Sequence, residues 1–191
     1  MPFTVRGMSA YAKAAACSIF AVALLGSAAS AEDKSAPSAG FKAVQDAYTI
    51  AWQQQPLAFT AAKFIALPAE SYGAYTPLET AEFQSGDPLT VYAEPVGFSY
   101  KEMGSTYAID LSVDFELRNT TGQVLASQDG FTALHSASLN QIREYQTSLS
   151  FNLTGLQAGE YVLKVQFNDE NSEKSGSFEL PFSMKDAPLQ N

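Results

Sequence analysis

The hydrophobic pattern of the chain is clearest from Thr106 to Arg118. There Tyr107, Ile109, Leu111, Val113, Phe115 and Leu117 alternate with Ala108, Asp110, Ser112, Asp114, Glu116 and Arg118. A repeat of two is the period of a strand with one dry and one wet face, whereas a helix would scatter those six apolar side chains around its circumference. Each large side chain withdrawn from water is worth roughly 1.5–3 kcal/mol, so the dry face predicts a second apolar layer covering it.

The same period returns along the chain. Leu89, Val91 and Ala93 form one set, Tyr145 to Leu153 a second, Tyr161 to Phe167 a third and Phe178 to Met184 a fourth. Ser85-Gly86-Asp87 reads as the turn that launches the strand Leu89–Glu94, and Asn119-Thr120-Thr121-Gly122 as a hairpin loop with Gln123–Ser127 returning antiparallel. Pro95 and Gly97 interrupt the first set, which predicts a bulge or edge position before Phe98-Ser99-Tyr100; Pro181 predicts an edge for the last. Gln128 to Gln141 is weakly patterned and reads as a connection with one short strand. Upstream, Phe41, Val44, Tyr48, Ala51 and Trp52 recur at spacings of three and four, predicting an amphipathic helix that Pro56 stops and whose stripe packs on the strands. Leu57–Leu67 reads as one more strand.

Regular strands with short turns predict a mainly β protein: an antiparallel, immunoglobulin-like β-sandwich over residues 79–185, with a short N-terminal helix and strand (41–78) packed on it. Residues 32–40 and 186–191 are expected to be tails.

The first residues change what the composition means. Arg6 and Lys13 precede the apolar run Ala14–Gly26, and Ala29-Ser30-Ala31 has the small-x-small form of a cleavage site, so residues 1–31 read as a signal peptide. Cleavage removes two cations and no acid, taking the formal charge from −9 to −11, and it removes Cys17, the one cysteine. The expected product is a periplasmic or secreted protein without disulfide or thiol chemistry, resting on its core alone. Its acidity argues against nucleic acid and against an anionic membrane surface as partners.

Leu156-Gln157-Ala158-Gly159-Glu160-Tyr161, between two strands, resembles the corner of immunoglobulin-like and fibronectin-like domains, with Tyr161 as the corner tyrosine. Phe83-Gln84-Ser85-Gly86-Asp87-Pro88-Leu89 taken with Ala158-Gly159-Glu160-Tyr161 is similar to extracellular modules of the alpha-macroglobulin type. Gly73-Ala74-Tyr75-Thr76-Pro77 followed by Val91 to Phe98 also resembles a group of uncharacterised exported proteins of alphaproteobacteria. These likenesses imply a fold and carry no activity, so no catalytic residue transfers.

Catalytic constellations are not visible. His135 is the sole histidine, so a histidine metal cage is impossible, and no serine sits in a nucleophile-elbow motif. Asp110, Asp114 and Glu116 share the wet face of a strand, where even side chains two residues apart stand nearly 7 Å apart, and they read as a solvated face. Asp169-Glu170-Asn171-Ser172-Glu173 lacks the glycine and terminal glutamate of a calcium loop and reads as a hairpin. No cofactor or metal is expected. What remains is an aromatic cluster, Tyr72, Tyr75, Tyr92, Phe98 and Tyr100, with Glu94 in the wet register beside Tyr92. It reads either as a cap on the sandwich or as a partner-binding surface, since amphipathic rings anchor proteins and stack on sugars. The leading reading is a non-catalytic binding or accessory module whose partner is an envelope protein or a glycan. A proteinase inhibitor, a glycan-binding protein and a glycan hydrolase using two facing carboxylates are the alternatives.

Overall fold

A computed structural model describes residues 36–185. The expected signal peptide, with Cys17, residues 32–35 of the N-terminal tail and residues 186–191 lie outside the described residues. The elements are α1 (Ala39–Gln54), β1 (Ala58–Phe64), β2 (Glu82–Gln84), β3 (Leu89–Val96), β4 (Lys101–Met103), β5 (Thr106–Asn119), β6 (Val124–Ser138), β7 (Thr147–Phe151), β8 (Gly159–Asp169) and β9 (Ser175–Lys185).

The alternating stretch forms β5, the middle of the larger sheet. It pairs antiparallel with β6 along one edge and with β8 along the other, and Ile109, Leu111, Val113, Phe115 and Leu117 are buried. The sheet runs on from β8 to β9 and the short parallel β2, while β4 pairs with the first residues of β5. The smaller sheet is β1-β3-β7, all antiparallel. With β1, β3 and β7 standing where strands A, B and E stand, and β9, β8, β5 and β6 where G, F, C and C′ stand, the strand order is that of an immunoglobulin-like sandwich. Val91, Leu149 and Phe151 of one sheet and Val113, Leu163 and Phe167 of the other belong to one buried core.

The corner at the start of β8 has the expected bond: the Tyr161 hydroxyl donates to the Gln157 carbonyl at 2.9 Å. Leu163, two residues on and wholly buried, fills the place at which antibody domains put the second cysteine of their inter-sheet disulfide. Apolar contact across the sheets stands where that covalent link would be.

Several expectations are corrected. The sandwich starts at Ala58 rather than Glu79, because β1 is a full strand of the smaller sheet. β3 is the central strand of that sheet and both its faces are buried; Pro95 pairs with Phe59 beyond the last β7 partner, and the bulge is in β1, between Phe59 and Ala61. Residues 128–138, expected as a connection, continue β6. The alternation fails there because Val113 pairs with Thr132 and Phe115 with Gln128, so three residues of β6 oppose Asp114 alone. The Asp114 carboxylate accepts the Gly130 N–H at 2.7 Å and holds that bulge, with Gly130 at φ 61°. Pro181 does lie at a locally open edge. Ser183 donates outward to Ala81, and two residues earlier the proline nitrogen points the same way past the end of β2.

The helix forms where its pattern predicts, capped by Ser38, whose hydroxyl accepts the Phe41 N–H at 3.2 Å. Its stripe does not pack as expected: Phe41, Val44 and Tyr48 are more than half exposed, and Trp52 alone of the helix is buried. The helix is held through its last turn. No helix of the described residues is long and apolar enough to cross a membrane.

Candidate functional site

The aromatic residues singled out in the sequence divide between two places. Tyr92 and Glu94 lie on the face of β3 expected to be wet, yet Tyr92 is wholly buried and Glu94 is 7% exposed. The turn Ser71–Ala74 covers them. The Gly73 N–H donates to the Tyr92 hydroxyl at 2.7 Å, that hydroxyl donates to Glu94 Oε1 at 2.6 Å, and Thr60 donates to Glu94 Oε2 at 2.8 Å. Tyr75 stacks on Tyr92 with ring centroids 4.1 Å apart. Tyr72, within the turn, is the exposed member. Both Glu94 oxygens are occupied, so the group is a bonded cap rather than a surface offering a free acid.

Phe98 and Tyr100 belong to a second place, together with residues the sequence did not single out for a site. Gly97, at φ 81°, turns the chain out of β3 so close to the helix end that a Cβ would meet the Pro56 carbonyl at 2.5 Å. The Ser99 N–H beyond it donates at 2.8 Å to Asp169, whose buried carboxylate also accepts from Asn171 and Ser172. The acidic loop thus braces the segment that carries the aromatic rings. Lys174 spans the same junction, donating to the carbonyls of Gln53 at 2.8 Å and Gly97 at 2.7 Å, where the helix C-terminus leaves unpaired carbonyls.

Trp52 donates its indole N–H to the Phe98 carbonyl at 2.8 Å and meets the Phe98 ring edge-on at 5.0 Å. Tyr100 packs on Phe98 and donates to the Ile142 carbonyl at 2.5 Å, which fixes the β6–β7 connection. That connection delivers Arg143. Its guanidinium carbon lies 4.7 Å from the Trp52 ring centroid, 5.2 Å from Tyr48 and 5.9 Å from Tyr100, so one cation faces three π-systems. One terminal nitrogen donates to Thr49 at 3.2 Å; the other, Nη1, is enclosed and has no acceptor among the described residues. Among the described residues no carboxylate pairs with Arg143, whereas Arg118, the other arginine of those residues, pairs with Glu116 and Glu179. A cavity of about 260 Å³ adjoins the guanidinium, walled by Trp52, Phe98 and Tyr100 with Ser99, Glu102 and Lys174 at its sides.

A second hollow, of about 200 Å³, lies on the outer face of β5 beside Asp114, Glu116, Asp129 and Lys164. Here the acids are braced. Asp114 accepts from Gly130 and from Asn168, and Glu116 pairs with Arg118 and Lys164. His135 likewise lies 2.6 Å from Asp110 across β5 and β6. These contacts tie strands together.

Burial, reinforced at Tyr92 by the Glu94 carboxylate, pushes the Tyr92 hydroxyl up to about 12; burial pushes Tyr100 to about 12 as well, and raises Tyr145. The folded state therefore keeps protons that the unfolded chain releases near the ordinary tyrosine value of about 10. Above that value the unfolded state binds fewer protons, so stability falls as pH rises from about 10 through about 12. Urea melts at stepped alkaline pH should show the midpoint falling over that window, with a shallower fall in Tyr92→Phe; a flat profile would contradict the buried hydroxyls.

No family model matches the chain, and no curated protein does. Among solved structures it is similar to the sporulation control protein Spo0M from Bacillus subtilis, at 12% identity and a TM-score of 0.31, over 67% of this chain and 51% of that one.

Proposed function

We propose that the protein is a non-catalytic binding or accessory module, exported to the periplasm or beyond, that holds an anionic group of a partner at the Arg143 cradle. The observation that carries this reading is Arg143 itself: a permanent charge fixed on three rings, beside a cavity, with no carboxylate paired to it among the described residues. An enclosed guanidinium N–H left without an acceptor costs about 1–3 kcal/mol or more, and ordinary core packing gives no reason to keep it. A carboxylate in the cavity would lie against the guanidinium charge, and the aromatic walls would take an apolar neighbour. The acidic background works in the same direction. With a formal charge of −9 overall, an anion finds favourable potential at few places, and Arg143 with Lys174 makes one of them.

The experiment is capture of a partner from envelope extract by the immobilised protein and by Arg143→Gln, which keeps most of the side-chain volume and removes the charge. Capture should fall at least tenfold with little change in melting temperature, while Tyr72→Ala, at the exposed edge of the other cluster, should retain it. Equal capture by Arg143→Gln would overturn the assignment.

A further inference from the structure

We infer that the Arg143 cradle is built for an α-amino acid group, a carboxylate with an ammonium beside it, and that Glu102 reads the ammonium. The inference rests on the anion reading above and narrows it. Glu102 is part of the wall of the cavity beside the guanidinium. β4 holds it opposite Tyr107 of β5, and residues opposed on paired strands share a face. The Tyr107 ring meets Tyr100 edge-on at 6.4 Å, so Glu102 stands on the Tyr100 side of the hairpin, toward the cradle.

Glu102 is exposed and belongs to none of the ion pairs among the described residues, so neither Arg143 nor Lys174 neutralises it. One cavity thus carries two cations and a separate acid. For a bare anion that acid is a defect, because it repels what Arg143 attracts. For a ligand with both signs it is the complement: the carboxylate faces the guanidinium and the ammonium faces Glu102. With two cations to one acid, the site still favours the carboxylate end. Size limits the rest. At about 260 Å³ the cavity lies below the ~300–1,000 Å³ that takes drug-sized molecules, so it fits a single amino acid, whose apolar side chain the walls of Trp52, Phe98 and Tyr100 suit.

The test is calorimetry with L-phenylalanine, with 3-phenylpropanoate, which lacks only the ammonium, and with L-phenylalaninamide, which lacks the carboxylate. L-Phenylalanine should bind at least about threefold tighter than 3-phenylpropanoate, the worth of a partly exposed ion pair, and the amide should not bind. In Glu102→Gln the preference should vanish, with 3-phenylpropanoate binding more tightly than before because a like charge is gone. Equal affinities in the unaltered protein, or a preference that survives Glu102→Gln, would overturn the inference and leave the anion site standing. No binding of either carboxylate would remove both. The group can arrive free or at the end of a larger molecule. Envelope extract that competes with L-phenylalanine from its low-mass filtrate marks the free amino acid, and from the retained fraction a larger bearer; competition from neither would count against the inference.

Discussion

Val113→Asp is expected to leave the protein unfolded in buffer at room temperature. Val113 is wholly buried at the centre of β5, between Thr132 of β6 and Phe167 of β8, and nothing there can pair with a carboxylate. An unpaired buried charge costs several kcal/mol, a large share of the ~5–15 kcal/mol that holds a domain together. The neighbouring Asp114→Ser should be far milder but not neutral. It removes the acceptor of the Gly130 and Asn168 donors, a loss on the order of 1–3 kcal/mol. Far-UV circular dichroism with urea titration separates the two. Equal midpoints would mean that the inner and outer faces of β5 are wrongly assigned.

Gly176→Ala should be nearly as damaging for a different reason. Gly176 pairs with Phe167, and a Cβ built on it would lie 2.1 Å from the Leu57 carbonyl oxygen and 2.7 Å from its carbon. The obstruction is backbone, which cannot swing aside as a side chain can, so β1 must move away from β9 and open that side of the sandwich. The expected loss is more than about 3 kcal/mol, beyond the usual range for one substitution. Gly122→Ala is the control. It has open space around the new carbon and φ 83°, so it bears backbone strain alone, roughly 1–2 kcal/mol. Similar losses for both would show that the close approach at Gly176 is not real.

The parts of the fold that could be read from residues are those where one face is dry and the other wet. β5, β8 and β9 satisfy this, and the loop glycines and Tyr161 stand where local chemistry requires them. The second half of β6 escaped because the bulge at Gly130 breaks the period; the first half, Gln123–Ser127, is exposed on both faces and was legible only from the hairpin loop before it. Tyr92 and Glu94 were misassigned because alternation names two faces but not what covers them, and the 71–74 turn folds over the second one. The helix stripe was the reverse case: the period was right, and the covering layer is absent over Phe41 and Val44.

The Arg143 cradle was hidden for another reason. Its rings come from positions 48, 52 and 100 and its cation from 143, so no local pattern contains it. The available signal was one of position: of the two arginines among the described residues, Arg118 ends an alternating run, and Arg143 falls between the weakly patterned stretch and the alternating set that starts at Tyr145.

The central claim is that this cradle takes an anion, and Trp52 reports on it directly because it is the protein's one tryptophan and lies beneath the Arg143 guanidinium. The measurement is its fluorescence during titration with N-acetylated aromatic amino acids carrying a free carboxylate, set against the matching carboxamides at equal ionic strength. The account predicts a saturable change with the carboxylates, none with the amides, and its loss in Arg143→Gln. An unchanged spectrum with every carboxylate, or an equal response to carboxylate and amide, would contradict it.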